Sequence, residues 1–327
     1  MAALSRNCIL TLVVGMACGF CFAYVLFSMT NWSPWNVVPC DGCIEFFGNG
    51  TVEGDAELAN ELSQRIRVLC WVMTHPAARK RCESIKRTWG KRCNILLFMS
   101  SEEDPDLPTV RLDIEEGRLF LWGKTKQAFK YVYEHYLDKA DWFMKADDDT
   151  YVVVDNLRYM LQAHSPDRPV YFGRKFTKYV EKGYMSGGSG YVLSREALKR
   201  FVEVSLPDPD KCQQNNGGDE DLEMGECLGN ADVFPGSTSD CHGQGRFFPL
   251  ELESHLEPGG LKPNNWFWKW ADSPSFEREK DCCSDTAISF HYVAPETMDV
   301  YESFIHRFRP YGIKTHLTKA ITPDAYC

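Results

Sequence analysis

Residues Asp141–Arg158 read DWFMKADDDTYVVVDNLR, a stretch that places three consecutive carboxylates between two apolar segments. The run Trp142-Phe143-Met144 has the bulk of a buried strand, and Tyr151–Val154 is rich in β-branched residues. Because such flanks bury their backbone, the acids Asp147–Asp149 should lie at the rim of a core. We therefore predict a strand that ends in an acidic cluster.

Adjacent carboxylates repel one another and resist desolvation, so Asp147, Asp148 and Asp149 need either open solvent or a hard cation such as Mn²⁺ or Mg²⁺. Acidic triplets are common on solvated loops, but the apolar flanks favour the cation here. In open α/β sheets, ligands bind beyond the carboxyl ends of the strands. Such a site predicts a diphosphate ligand that is bridged to the protein through the ion.

The chain has 327 residues, 44% hydrophobic and 13% aromatic, which is enough for one large globular domain of about 250 residues. The net charge of -10 argues against a nucleic-acid partner, because the 36 basic residues are dispersed along the chain. An anionic small ligand would then depend on the metal ion and on a few placed basic residues.

The N-terminal residues Cys8–Met29 form an uncharged, mostly apolar run that is long enough to cross a membrane. A cleaved signal peptide is the alternative, but its apolar region is usually shorter. We expect a cytoplasmic tail at 1–7, a transmembrane signal-anchor at 8–29, a stem at 30–62 and a lumenal domain at 63–327, in type II orientation. Asn49 begins a glycosylation sequon in the stem.

Eleven of the fourteen cysteines follow the apolar run, which fits an oxidising compartment. Zinc is the alternative, but Cys40 and Cys43 form a CxxC pair without the further ligands of a closed site, so disulfides are favoured. The adjacent Cys282 and Cys283 are expected to reach two different partners, and only rarely each other.

Beyond the stem, apolar runs alternate with helical spacing. Strands are predicted at Arg67–Thr74, Asn94–Ser100 and Pro169–Arg174. Helices are predicted to include Lys86, Arg87 and Trp89, and to span Glu116–Leu137 and 154–163. This alternation predicts βαβ units and a mainly parallel sheet flanked by helices.

Four further segments could carry chemistry. Gly183–Leu193 is glycine-rich and is either a turn or a loop that lines a ligand. Asp221 follows Glu220 at a predicted helix start, where acids are favoured by the dipole, yet an acid there could also be a general base. The aromatic run Trp266–Trp270 suits a core or a sugar face. His291 is either a satisfied core histidine or a metal ligand.

Taken together, these segments resemble the inverting β1,3-glycosyltransferases that include fringe, and among them the core 1 β1,3-galactosyltransferases. The resemblance extends from about Arg65 to Ile313 and is densest in VLCWVMT, KRTWGKRCN, LFMSSEE, ADWFMKADDDTYVVVDNLRYML, KGYMSGGSGYVLSREA, CCSDTAISFHY and RPYGI.

The resemblance implies a GT-A fold, a Golgi membrane location, UDP-galactose as donor and O-linked GalNAc on Ser or Thr of glycoproteins as acceptor. It implies that Asp147, Asp149 and His291 hold Mn²⁺ and that Asp221 is the catalytic base. Trp268 and Tyr184 would hold the acceptor sugar. The residues implied to line the UDP pocket are Met73, Thr74, Glu116, Arg118, Lys124 and Asp148. The sequence leaves a homodimer open.

This chain departs from the family pattern in its aromatic run, where Lys269 interrupts FWYW, and in the segment Leu252–Leu256, where the family has PEHHL. Cys82 is a further departure, because the family pattern has no cysteine at this position. A catalytically weak relative that acts as a chaperone or binding partner is one alternative, and the retained acids and His291 argue against it. Fringe-like transfer of GlcNAc to fucose is another.

Overall fold

The computed structural model describes residues 52–257, 260–272 and 282–308. The predicted cytoplasmic tail, membrane anchor and Asn49 lie outside these residues. Among the described helices, none is both long and apolar enough to cross a membrane. A helix spans Val52–Arg65, across the predicted boundary between stem and lumenal domain.

A seven-stranded sheet forms the centre of the fold, in the order β10-β6-β9-β4-β1-β2-β3. Its strands are β1 (Val68–Met73), β2 (Ile95–Ser100), β3 (Thr109–Arg111), β4 (Trp142–Asp147), β6 (Val170–Gly173), β9 (Tyr191–Ser194) and β10 (Phe234–Pro235). Four of the six pairings are parallel, so the mainly parallel sheet is confirmed. The other two place β9 antiparallel between β4 and β6.

Helices cover both faces of this sheet. They are α1 (Val52–Arg65), α2 (Arg79–Arg87), α3 (Leu121–Tyr136), α4 (Val154–Leu161), α5 (Arg195–Arg200), α6 (Glu220–Gly229), α7 (Leu252–Leu256), α8 (Phe267–Trp270) and α9 (Pro295–His306). Short 3₁₀ turns lie at Pro76–Ala78, Trp89–Arg92 and Arg118–Phe120, and a π turn lies at Phe201–Ser205.

The alternation of side chains along β1 explains why the sheet is buried on two sides. Val68, Cys70 and Val72 pack into one core with α2, α4 and α9, whereas Leu69 and Trp71 pack into another with α3, α5 and α6. A strand that is apolar on both faces reads as a continuous hydrophobic run, which is what VLCWVM is.

Two small sheets complete the fold. One pairs β11 (Phe247–Phe248), β12 (Ser289–Phe290) and β5 (Tyr151–Val152), and the other pairs β7 (Lys175–Phe176) with β8 (Tyr184–Met185). The first of them matters for the site, because it joins the segment after the acid triplet to the segment before His291.

The described residues contain three disulfides, Cys70–Cys93, Cys212–Cys227 and Cys282–Cys283. Disulfide formation is thereby confirmed over zinc binding for these cysteines. The expectation that Cys282 and Cys283 reach two different partners is wrong, because they bond to each other. Cys40 and Cys43 lie outside the described residues.

Candidate active site

Asp147, Asp149 and His291 converge at the end of β4. One ligand atom from each lies within 4.8 Å of the others. The cause is local: β12 pairs antiparallel with β5, matching Phe290 to Tyr151, so the residue after one strand meets the residues before the other. The His291 Nε2 atom lies 3.1 Å from Asp149 Oδ1 and 3.8 Å from Asp147 Oδ2. Three groups that suit a divalent cation therefore face one point.

The imidazole of His291 is oriented by the backbone. Its Nδ1 lies 3.2 Å from the Pro249 carbonyl oxygen, which can only accept a hydrogen bond, so Nδ1 carries the proton and Nε2 is directed to the acids. Burial raises the pKa of Asp149, but the hydrogen bond and charge of His291, together with the charge of Arg81, outweigh burial and hold that pKa below its ordinary value. Asp149 is therefore kept ionised, as a metal ligand must be.

Asp148, the middle acid, turns away from His291. Its Oδ2 accepts a hydrogen bond from Thr74 Oγ1 at 2.8 Å, and its Oδ1 forms an ion pair with Arg81 Nη1 at 2.7 Å. Burial raises the pKa of Asp148, although Arg81 and Thr74 oppose the rise. The same Arg81 nitrogen lies 3.6 Å from Asp149 Oδ2. Asp148 thus ties the triplet to the end of β1 and to helix α2.

Most of the residues predicted for the UDP pocket meet at the carboxyl ends of β1 and β4, where Met73 pairs with Asp147. Buried Lys124, on α3, donates to the Thr74 carbonyl at 2.7 Å and pairs with Glu116. Arg118 lies exposed in its 3₁₀ turn. These positions are consistent with a nucleotide pocket, and the individual roles stay predictions.

Glu220 and Asp221 begin helix α6, but their environments differ. Glu220 is buried, and its Oε1 accepts from Tyr191 at 2.6 Å and from Thr125 at 2.9 Å. Asp221 is partly exposed and accepts only backbone N–H groups, from Gly187 at 3.0 Å and Leu222 at 3.0 Å. Burial, reinforced by the Glu220 charge, raises the pKa of Asp221 to about 6. Asp221 is thus the more exposed acid of the pair.

Two neighbouring glycines separate the acidic clusters. A Cβ at Gly187 would lie 2.8 Å from Glu220 Oε2 and 3.5 Å from Asp221 Cβ, whereas a Cβ at Gly188 would overlap the His291 ring. The glycine-rich stretch therefore contains a turn before β9 that lies between the two clusters, and its contact with a ligand stays a prediction. Glycine is required there because both clusters approach its backbone closely.

The predicted acceptor residues are buried. Tyr184 and Trp268 are 2% and 7% exposed, and they share an apolar cluster with Phe176 and Phe267. The Trp268 indole N–H donates to the Lys262 carbonyl at 3.0 Å. A Cβ on Gly225, one turn after Asp221, would overlap Tyr184, so this ring packs directly on helix α6. Their contact with an acceptor sugar stays a prediction.

Three residues at the site were not foreseen from the sequence. Arg81 and Lys145 are cations that contact the acid triplet, and Tyr292 stacks on His291 with ring centroids 3.9 Å apart. Tyr292 also has a positive φ of 56°, a strained conformation that clusters at functional sites. For Lys145 the sequence held a signal, because a lysine within a buried strand must find carboxylates.

The mixed α/β fold and its clustered acids define a candidate metal-dependent enzyme, and comparison with known proteins gives the family. Residues 73–243 match the family described as Fringe-like. Glycoprotein-N-acetylgalactosamine 3-beta-galactosyltransferase 1 of Xenopus laevis is 38% identical over 97% of this chain and 89% of its own. The chain therefore belongs to the Fringe-like family.

More distant relatives match a smaller part of the chain. Beta-1,3-glucosyltransferase of Mus musculus is 28% identical over 54% of this chain and 36% of its own length. Chondroitin sulfate synthase 3 of Homo sapiens is 30% identical over 45% of this chain and 18% of its own. The solved glycosyltransferase GlyE of Streptococcus pneumoniae TIGR4, in its apo form, is 8% identical over 72% of this chain and 60% of its own, with a TM-score of 0.42.

Proposed function

We propose that this protein transfers galactose from UDP-galactose to the 3-hydroxyl of O-linked GalNAc on Ser or Thr of glycoproteins, with inversion at the anomeric carbon. The identity to the Xenopus enzyme over nearly the whole chain supports the substrates. The observation that carries the chemistry is the pair of acidic clusters on either side of Gly187 and Gly188. Such a transfer needs a base for the acceptor and charge neutralisation for the donor, in separate places.

The residues present fit a bound Mn²⁺. Asp147 and Asp149 offer carboxylate oxygens, His291 offers a nitrogen whose direction the Pro249 carbonyl fixes, and the three converge within 4.8 Å. When bound, Mn²⁺ would neutralise charge on the UDP diphosphate as it leaves. We assign Asp148, Thr74, Met73, Glu116, Lys124 and Arg118 to the surrounding nucleotide pocket.

On the acceptor side we assign the general base to Asp221. Its carboxylate is held by two backbone N–H groups, is partly exposed, and has a pKa raised to about 6, close to the pH at which a base is effective. It would take the proton from the GalNAc 3-hydroxyl as that oxygen attacks the anomeric carbon from the face opposite UDP. A single displacement of this kind inverts the configuration.

We infer that the enzyme works in the Golgi lumen as a single-pass type II membrane protein. The apolar run Cys8–Met29 supports the anchor, and the disulfides support an oxidising compartment. Retention by membranes after a carbonate wash, with the C-terminus protected in sealed vesicles, would agree with this topology. A soluble form that begins after residue 30 would contradict it.

The experiment that tests the function is an assay of residues 30–327 with a panel of UDP-sugars and Mn²⁺. GalNAc-Ser/Thr peptides and fucosylated peptides serve as competing acceptors. We expect galactose transfer to the GalNAc peptides, and none in EDTA. Transfer of GlcNAc to fucose would overturn the substrates, and a complete lack of transfer would favour a binding or chaperone role.

A further inference from the structure

Lys145 lies at the centre of the molecule and beside both acidic clusters. It belongs to β4, the middle strand of the main sheet, where it pairs with Trp71 on one side and Tyr191 on the other. Its side chain is only 2% exposed. A buried ammonium must be compensated by carboxylates and hydrogen-bond acceptors, so its partners define its role.

The ammonium of Lys145 has three polar partners, of which two accept its hydrogen bonds and the third, Glu220, forms an ion pair with it. They are Asp147 Oδ1 at 2.7 Å, the Gly187 carbonyl oxygen at 3.1 Å and Glu220 Oε2 at 3.5 Å. One partner belongs to the candidate metal site, one to the glycine turn and one to the acidic pair of helix α6. Among the described residues we find no other cation in contact with both clusters.

We propose that Lys145 is a positioning residue for both halves of the reaction, an inference that rests on the proposed function. By holding one oxygen of Asp147, it leaves the other oxygen directed at His291 as a ready metal ligand. By balancing Glu220, it allows the neighbouring Asp221 to stay ionised as the base. One buried charge would thus align the donor site with the acceptor site.

The effect on Asp221 has a definite sign. Glu220 faces it from the same helix, Lys145 from β4, and the phenols Tyr171, Tyr184 and Tyr191 from β6, β8 and β9. Glu220 raises the pKa of Asp221, and Lys145 lowers it. Neutralising Lys145 should therefore move the acid limb of the rate profile to higher pH, and neutralising Glu220 should move it to lower pH.

A purely structural role for Lys145, limited to balancing Glu220 in the core, predicts a different pattern. The set Lys145→Met, Glu220→Gln and the double variant separates the two, because the double variant restores the charge balance of the core but leaves Asp147 without its partner. Arg158→Met is the matched control. It removes a buried cation that is 2% exposed and bonds backbone carbonyls away from the site.

The test measures Mn²⁺ affinity by the electron paramagnetic resonance of free Mn²⁺ at fixed UDP, and transfer rate against pH. We expect Lys145→Met and the double variant to bind Mn²⁺ about 10–100-fold more weakly, with Arg158→Met unchanged. The acid limb should shift in opposite directions in the two single variants and return in the double. If Lys145→Met does not fold, the double variant decides the affinity question.

Wild-type Mn²⁺ affinity in the double variant would overturn the role of Lys145. So would acid limbs of the rate profile that do not shift in opposite directions in Lys145→Met and Glu220→Gln. Because Mn²⁺ binding needs no turnover, this outcome differs from a failure of the proposed function. A wild-type protein that binds Mn²⁺ and UDP but transfers nothing to GalNAc peptides would overturn the acceptor alone. A wild-type protein that binds no Mn²⁺ would overturn both proposals.

Discussion

The acid triplet of β4 and the acidic pair of helix α6 are built on the same plan. In each, one carboxylate is fixed by neighbouring side chains. Asp148 is bound by Thr74 and Arg81, and Glu220 is bound by Tyr191 and Thr125. We propose that their neighbours, Asp147, Asp149 and Asp221, take part in the reaction. The clusters differ in their counter-charges, because the triplet contacts a guanidinium, an ammonium and an imidazole, whereas Asp221 accepts hydrogen bonds from backbone N–H groups.

This difference in counter-charge shifts the pKa values of two aspartates, Asp149 and Asp221, in opposite directions. Burial raises the pKa of Asp149, but His291 and Arg81 together lower it below its ordinary value, which suits a carboxylate proposed as a permanent ligand. Burial and Glu220 raise the pKa of Asp221 to about 6, which suits a group that must accept a proton and release it. Environment therefore separates the proposed metal ligand Asp149 from the proposed base Asp221.

The largest effect should come from breaking the metal cluster. We expect Asp149→Ala and His291→Ala to lower the transfer rate by about 10³-fold or more, since the charge of the leaving diphosphate is then poorly neutralised. Isothermal titration should show the matching loss of Mn²⁺-dependent UDP binding. Undiminished turnover in either variant, or of the wild type in EDTA, would refute the metal assignment.

The two glycines allow each cluster to be disturbed from the backbone. Gly188→Ala should displace the His291 ring and weaken Mn²⁺ binding by about 10–100-fold, as loss of ligand orientation does elsewhere. Gly187→Ala should press on Glu220 and Asp221 and lower the transfer rate while Mn²⁺ affinity falls less. Equal effects of both variants on Mn²⁺ affinity would mean that the clusters are not separate.

The pH dependence should report the base. Because the pKa of Asp221 is raised to about 6, the base is ionised above that pH and is lost as pH falls through it, so the rate should drop about tenfold per pH unit below it. The measurement is made at saturating Mn²⁺ and UDP-galactose, so that protonation of His291 does not contribute. A rate that is flat down to pH 4.5 would exclude Asp221.

A smaller effect is expected from Thr74→Val, which removes the hydroxyl that Asp148 accepts from. Loss of one hydrogen bond to a buried carboxylate lowers the free energy of unfolding by about 1–3 kcal/mol. The effect stays in this range because Arg81 still compensates the charge of Asp148. Thermal melting should show a drop of this size, with UDP affinity reduced and the pH profile unchanged. An unchanged melting temperature would mean that this bond does not anchor the triplet.

Local sequence patterns predicted much of this molecule. The acid-tipped strand, the helix that begins at Glu220 and the mainly parallel sheet follow from apolar runs and spacing, which act over a few residues. The antiparallel β9 was not foreseen, because its pairing with β4 and β6 joins segments that are distant along the chain and is not encoded in a local pattern. The Cys282–Cys283 bond was missed since adjacent cysteines rarely pair.

The long-range ion pairs of the site could not be predicted for a similar reason. Arg81 and Lys145 lie 67 and 75 residues from Asp148 and Glu220, their respective partners, so only the folded sheet brings them together. The aromatic run was ambiguous because stacking on a sugar and packing in a core call for the same residues. The structure buries Trp268 and leaves Trp266 39% exposed.

The most direct measurement compares transfer with donor binding in Asp221→Asn. We expect the variant to fold, because removing the desolvated charge of Asp221 offsets the loss of one backbone hydrogen bond. We also expect it to bind Mn²⁺ and UDP like the wild type. Its transfer rate should fall by the 10²–10⁴-fold that is typical of general-base removal, about 3–5 kcal/mol. Near-wild-type transfer by a folded Asp221→Asn, or an equal loss of UDP binding, would contradict the division of labour between the two clusters.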